Sequence, residues 1–273
     1  MKNIGTIIMA LALVLGLAQC KKQGTPATPD AEGKKVFISM KTNGGDRHIV
    51  YPNTGVVEFT DGDIIYVGSS DNSITGDPKD KKWCLGVLTY NDNNHTFSGD
   101  IYEPAQGANL WFYYLGGHTI AYQPGGTAYD IYIKDQSSVL PVLSFGISNE
   151  TYPSSNGTYS CILENKCALV KFECTDAVYD DVILENMPCK VTVDFEDGGI
   201  HPSGGEGNIT LYSQSGTRDK WAILLPGTEL KGEGVNIECK IGNNICTITC
   251  DETVPNWVEE NYLITEGITI NIP

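Results

Sequence analysis

Thiols and imidazoles are the side chains with the widest chemistry here: the 273-residue chain carries nine cysteines and four histidines. The first thiol, Cys20, ends the segment Leu17-Ala18-Gln19-Cys20, which follows Lys2 and an apolar run from Thr6 to Ala18. A charged start and roughly a dozen apolar residues are too short to span a bilayer and match a cleaved secretory signal. Cleavage after Gln19 makes Cys20 the new N-terminus, where its thiol can take a diacylglycerol. Each buried methylene contributes about 0.8 kcal/mol, so two or three acyl chains tether the chain to a membrane. Gln19 stands where a small residue is usual, and a plain secreted protein cut nearby is the alternative.

Lipidation of Cys20 leaves eight cysteines, an even number that in an exported chain invites disulfides. Their neighbours point elsewhere. Cys189 shares its parity with Val191, Val193 and Phe195, Cys239 with Ile237 and Ile241, Cys246 with Ile248 and Cys250, and Cys174 with Val170 and Phe172. Alternate residues of a strand face one side, so these thiols sit where small buried hydrophobes sit. Cys246 and Cys250 cannot bridge within one strand, because four residues at about 3.3 Å each exceed the roughly 7 Å limit between Cα atoms. Core thiols and inter-strand bridges remain the two readings. Metal binding is disfavoured, as no Cys-x-x-Cys occurs and His48, His95, His118 and His201 lie apart in turn-rich contexts.

Catalytic signatures are missing: the sequence has no Gly-x-Ser-x-Gly elbow, no His-Glu-x-x-His and no phosphate-cradling loop. Acidic pairs such as Glu185 with Asp194 are background in so acidic a chain, and the Asp77–Asp80 and Asp194–Gly199 loops read as turns rather than calcium loops. A net charge of −16 repels a phosphate backbone, which excludes nucleic acid as a partner. The expectation is a protein that is not an enzyme and needs no cofactor.

The elements that would hold these residues are strands. Short runs rich in Val, Ile, Tyr, Phe and Thr are broken about every 8 to 15 residues by Gly, Pro, Asn or Asp. Strands are predicted at 36–41, 57–59, 64–69, 84–90, 109–115, 129–133 and 143–147. A second set is predicted at 168–174, 182–184, 190–195, 208–212, 220–225, 234–241, 244–250 and 262–272. Between the sets, residues 148–158 are dense in turn formers. No segment keeps a helical period, and so many strands seldom share one open sheet. The chain is predicted to be all-β: a signal at 1–19, a flexible linker with the lipidated cysteine at 20–33, and two consecutive antiparallel β-sandwiches at 34–152 and 153–273.

The order of motifs resembles the fimbrillin-like proteins of the Bacteroidales. The similarity lies in Val36-Phe37-Ile38-Ser39-Met40, then Phe59-Thr60-Asp61-Gly62-Asp63-Ile64-Ile65-Tyr66-Val67, Phe97-Ser98-Gly99-Asp100-Ile101-Tyr102 and Leu110-Trp111-Phe112-Tyr113-Tyr114. Cys167-Ala168-Leu169-Val170-Lys171-Phe172 and Trp221-Ala222-Ile223-Leu224-Leu225-Pro226-Gly227 continue it in the second half. The resemblance implies transthyretin-like, Greek-key sandwiches and a lipid-anchored subunit of outer-membrane surface fimbriae. It implies assembly with other subunits by strand donation, in which an extended segment of a neighbour fills the place of a missing strand. The matching cleavage position is Arg47, in the polar stretch Asn43-Gly44-Gly45-Asp46-Arg47-His48; an ordinary surface arginine is the other reading. The candidate donor is the C-terminal strand with Ile264, Ile268, Ile270 and Ile272 on one face, and the same strand could instead close its own domain. The sequence leaves open the receptor and the choice among stalk, tip and anchor roles. The lipid anchor and β-sandwiches equally suit a carbohydrate-binding lipoprotein of a glycan-uptake system, for which Trp83, Trp111, Trp257, Tyr113 and Tyr114 are the candidate sugar platforms.

Overall fold

Alternating apolar runs become strands throughout, and no helix occurs among the described residues. The computed structural model describes residues 33–42, 47–49, 56–71, 83–121, 126–138, 140–174, 177–213, 218–228, 236–249 and 268–270. The first strands are β1 (Lys35–Thr42), β2 (Arg47–Ile49), β3 (Val56–Glu58), β4 (Ile64–Ser69), β5 (Cys84–Asn91), β6 (Thr96–Tyr102), β7 (Asn109–Tyr114), β8 (Ala128–Tyr132), β9 (Ser144–Thr151), β10 (Thr158–Cys161) and β11 (Glu164–Asn165). They are followed by β12 (Ala168–Cys174), β13 (Asp181–Pro188), β14 (Lys190–Asp194), β15 (Gly199–Pro202), β16 (Glu206–Thr210), β17 (Tyr212–Ser213), β18 (Lys220–Leu224), β19 (Asn236–Ile241), β20 (Asn244–Thr249) and β21 (Ile268–Ile270).

The largest sheet has the order β10-β1-β6-β5-β4-β7-β9-β11, and β10 also pairs with β9. That extra pairing, Cys161 opposite Ser148, closes seven of the strands into a barrel-like ring. Three smaller sheets follow, ordered β17-β18-β12-β21, β16-β13-β19-β20 and β15-β14-β8, with β2 and β3 forming a separate hairpin. Strand pairing crosses residue 152 in both directions. β8 precedes it yet pairs with β14, whereas β10 and β11 follow it yet belong to the ring sheet.

Side chains interlock the same way. Phe195, in the turn after β14, packs its ring 4.5 Å from that of Tyr113 in β7, and the Tyr113 hydroxyl donates to the Asp194 carbonyl at 2.7 Å. Gly68 in β4 makes room for this pair: a Cβ there would lie 3.0 Å from the Phe195 ring and 3.2 Å from that of Tyr113. Gln136, fully buried, donates through Nε2 to the carbonyls of Ile133 at 3.0 Å and Ile223 at 2.9 Å, and its Oε1 accepts from the Ile223 amide at 2.7 Å. A side-chain amide thus stitches the chain after β8 to the middle of β18. One hydrophobic cluster runs from Ile38 to Cys239.

Cys174, Cys189 and Cys239 take the core positions that their alternation with apolar residues predicts, whereas Cys246, expected there as well, is only half-buried and Cys250 lies outside the described residues. Cys84, Cys161, Cys167, Cys174, Cys189 and Cys239 are buried, Cys246 is half-buried, and all seven are unbridged. Burial pushes the thiols of Cys84, Cys161 and Cys239 each up to about 12.

Gln136→Leu should lower unfolding free energy by roughly 3 kcal/mol, because it leaves buried backbone groups without partners. Urea titration should show an earlier midpoint at unchanged slope. The thiols predict an alkaline weakness. Above about pH 8.5 the unfolded chain releases protons that the folded core retains, so the thiols' stabilisation is full below that pH and is lost as pH rises towards about 12. The slope is about 1.4 kcal/mol per pH unit for each such thiol, and urea midpoints measured across this range should fall less steeply in Cys161→Ala.

Candidate functional site

β1 is the element on which the assembly reading turns, and its surroundings are specific. It runs antiparallel to β6, from Lys35 opposite Tyr102 to Met40 opposite Phe97, and parallel to β10, from Ser39 opposite Thr158 to Thr42 opposite Cys161. One edge is therefore paired from Lys35 to Met40 and the other from Ser39 to Thr42. Ile38 and Met40 point into the core, with the Cys161 Sγ 3.7 Å from the Met40 Sδ, whereas Phe37 on the other face is 65% exposed. Lys34, just before the strand, is ion-paired with Glu103 at 3.0 Å, and the Tyr152 hydroxyl donates to the same carboxylate at 2.8 Å. Burying two or three apolar side chains of this kind contributes on the order of 5 kcal/mol, so loss of β1 opens a costly gap unless another strand fills it.

Arg47 begins β2, a strand whose backbone pairs with β3 so that Arg47 lies opposite Glu58. The polar stretch expected to be loop therefore becomes strand at its basic residue, while Asn43–Asp46 lie outside the described residues. At the other end of the chain, Ile268 and Ile270 lie in β21, which pairs in parallel with β12, Ile268 opposite Phe172 and Ile270 opposite Cys174. Among the described residues β21 is the last strand of its sheet. Cys20, Ile264 and Ile272 lie outside the described residues, as do Trp257 and the Asp77–Asp80 loop.

The aromatic residues named as sugar platforms are mostly core. Trp111 is 8% exposed, Tyr113 is fully buried and Tyr114 is 7% exposed; Trp83 is half-buried. A cleft of about 310 Å³ is lined by Phe145, Lys166, Gly198–Pro202 and Pro226. Its phenyl ring, Phe145, packs 5.0 Å from Tyr113, and Lys166 is ion-paired with Glu164 at 3.1 Å. Neither is offered freely to a ligand.

The remaining candidates resolve into turn chemistry. Asp194 Oδ1 accepts from the amides of Glu196 at 2.7 Å and Asp197 at 3.0 Å, which ties the acidic loop into a tight turn. His95 faces the Tyr90 hydroxyl at 3.3 Å, His118 is held below the usual imidazole range by burial, and His201 is exposed on the cleft rim. Among the described residues no three His, Cys, Asp or Glu side chains converge as a metal site. Lys220 was not singled out by its sequence context. Its buried Nζ donates to the Tyr179 carbonyl at 2.7 Å and to the Ser213 hydroxyl at 2.5 Å, and burial lowers its pKa. Only its place in an apolar strand, Lys220-Trp221-Ala222-Ile223-Leu224, hinted at this.

No protein-family model and no curated protein matches the chain. Solved structures do. A candidate cell adhesion protein from Bacteroides uniformis matches with TM-score 0.58 and 15% identity over 86% of this chain and 92% of that one. Two further candidate cell adhesion proteins, from Bacteroides ovatus and Bacteroides thetaiotaomicron, match with TM-scores of 0.49 and 0.47 at 16% and 13% identity, over 82% and 86% of this chain and 88% and 93% of theirs. The similarity to the first is one of architecture, and the chain accordingly has the all-β fold of that Bacteroides protein.

Proposed function

We propose that the protein is a non-enzymatic subunit of bacterial surface fimbriae, of the Bacteroidales fimbrillin-like kind, anchored through lipid on Cys20 to the outer membrane. In this reading a signal at 1–19 and a linker at 20–33 precede two sandwiches, 34–152 and 153–273, which trade strands β8, β10 and β11 across their boundary. The fold shared with a candidate adhesion protein supports this assignment.

The observation that carries the reading is the slot that β1 occupies. Proteolysis after Arg47 would separate β1 from the body, leaving β6 and β10 with unpaired edges on either side of a groove bordered by Phe97 and Tyr159. Such a groove accepts an extended segment with alternating apolar residues. The C-terminal run Ile264-Thr265-Glu266-Gly267-Ile268-Thr269-Ile270-Asn271-Ile272 repeats the alternation of Val36, Ile38 and Met40. A copy of that run from a neighbouring subunit is the proposed donor. Burial of Trp111, Tyr113 and Tyr114 counts against a glycan-binding platform.

The chain has two arginines, Arg47 and Arg218, which makes an arginine-specific protease a sharp probe. Digestion of the purified protein, N-terminal sequencing and native mass spectrometry should find a new N-terminus at His48 together with dimers and larger assemblies. Arg47→Ala should keep β1 and stay monomeric. A protein cut after Arg47 that remains monomeric, or one that resists cutting there, would overturn strand donation.

A further inference from the structure

The second half holds a pair of thiols placed for chemistry with each other. Cys239 in β19 and Cys246 in β20 are direct register partners in an antiparallel hairpin. Residues opposite each other in such a pair share one face, with Cα atoms about 4.5 or 5.5 Å apart according to the type of pair. Both spacings fall within the roughly 4.4–6.8 Å that a disulfide spans. The register is held from outside as well: the Asp180 amide donates to the Lys240 carbonyl at 2.8 Å, and the Gly242 amide donates to the Asp180 carboxylate at 2.7 Å.

A third thiol, Cys174 in β12, lies near the pair but belongs to a different sheet. A Cys174–Cys239 bridge would have to join two sheets, whereas Cys239 and Cys246 are already opposed in the ladder of one hairpin. Exposure then orders the two partners. Cys239 is 1% exposed, whereas Cys246 is half-buried on the last strand of the sheet β16-β13-β19-β20, beside Ile245 at 61% exposure. Burial first, and then the nearby sulfurs of Cys174 and Cys246, push the Cys239 thiol up to about 12.

We propose that Cys239 and Cys246 are a modification site at which a small-molecule disulfide, such as oxidised glutathione, forms a cross-strand disulfide that fastens the edge strand β20 to β19. The Cys246 thiolate attacks one sulfur of the oxidant, making a mixed disulfide and releasing one reduced glutathione. The Cys239 thiol gives its proton to water and its thiolate attacks the Cys246 sulfur, releasing the second. Two protein thiols are oxidised and one disulfide of the reagent is reduced, so atoms and electrons balance. The second step is the slow one, since Cys239 rarely ionises in the core.

The test is to equilibrate the full chain with oxidised and reduced glutathione, block remaining thiols with N-ethylmaleimide under denaturing conditions, and map peptides without reduction. The expected product is a linked Cys239–Cys246 peptide, lighter by two hydrogens and abolished by reductant. Amide exchange in β20 should slow by about tenfold on oxidation. Cys239→Ser should stall at a glutathione adduct on Cys246. Cys246→Ser, a change at the half-buried position, should leave Cys239 unmodified while circular dichroism reports an intact β-fold. Free Cys239 and Cys246 in the oxidised, folded protein, or a Cys174–Cys239 link in place of the predicted one, would overturn the proposal.

Discussion

Closure of the large sheet rests on four residues, Thr158–Cys161. β10 receives β1 along one side and touches β9 on the other through Cys161 and Ser148. Its hold comes from Tyr159 and Cys161, both buried, and from the Tyr159 hydroxyl, which accepts the Ser154 amide at 3.1 Å. The Asn149 side chain adds a bond to the Ser160 hydroxyl at 3.2 Å. A ring has no free edge, so this small strand protects the backbone of β9 and β1 together. The same geometry makes β1 a strand with two neighbours, and gives its place in the sheet the form of a slot.

The ring does not stand alone. Its Tyr113 and Gly68 receive Phe195, and the Tyr113 hydroxyl holds the carbonyl of Asp194, so the outer side of β7 is covered by residues from the other half of the sequence. Gln136 and Lys220 supply the polar counterpart. Each is a hydrophilic side chain taken out of water, which costs several kcal/mol unless its donors and acceptors are matched, and each is matched to backbone groups of another segment. Such residues specify which segments meet, a task that apolar packing performs less selectively.

Much of the strand pattern was legible locally. Ile64–Ser69 and Ala168–Cys174 have the bounds that alternation and β-branched content suggest. Cys174, Cys189 and Cys239 lie on the buried face for the same reason. Periodicity alone does not reveal β6, because Gly99 and Asp100 interrupt it. Yet Gly99 is there because a Cβ would lie 2.6 Å from the Val87 carbonyl of the neighbouring strand, a constraint invisible along the chain. β10 hid among turn formers, with two apolar positions in four residues. At the candidate site, the apolar face of the C-terminal strand could be seen, whereas β1's two neighbours could not, because pairing is non-local. Trp111 to Tyr114 defeated simple alternation because both faces of β7 are covered, the circumstance in which strands lose their polar side.

The parallel contact between β1 and β10 joins residues roughly 120 positions apart, and closing a loop of that length costs about 4 kcal/mol before any contact rewards it. During synthesis, the first strand emerges long before its second neighbour exists. Until Cys161 arrives, β1 is held by β6 alone and its far edge is open. Folding of the ring is therefore late and slow, in the manner of high contact order topologies. The interval in which the N-terminal strand is half-bound is when a chaperone, or another copy of the chain, has its best opportunity to intercept the barrel.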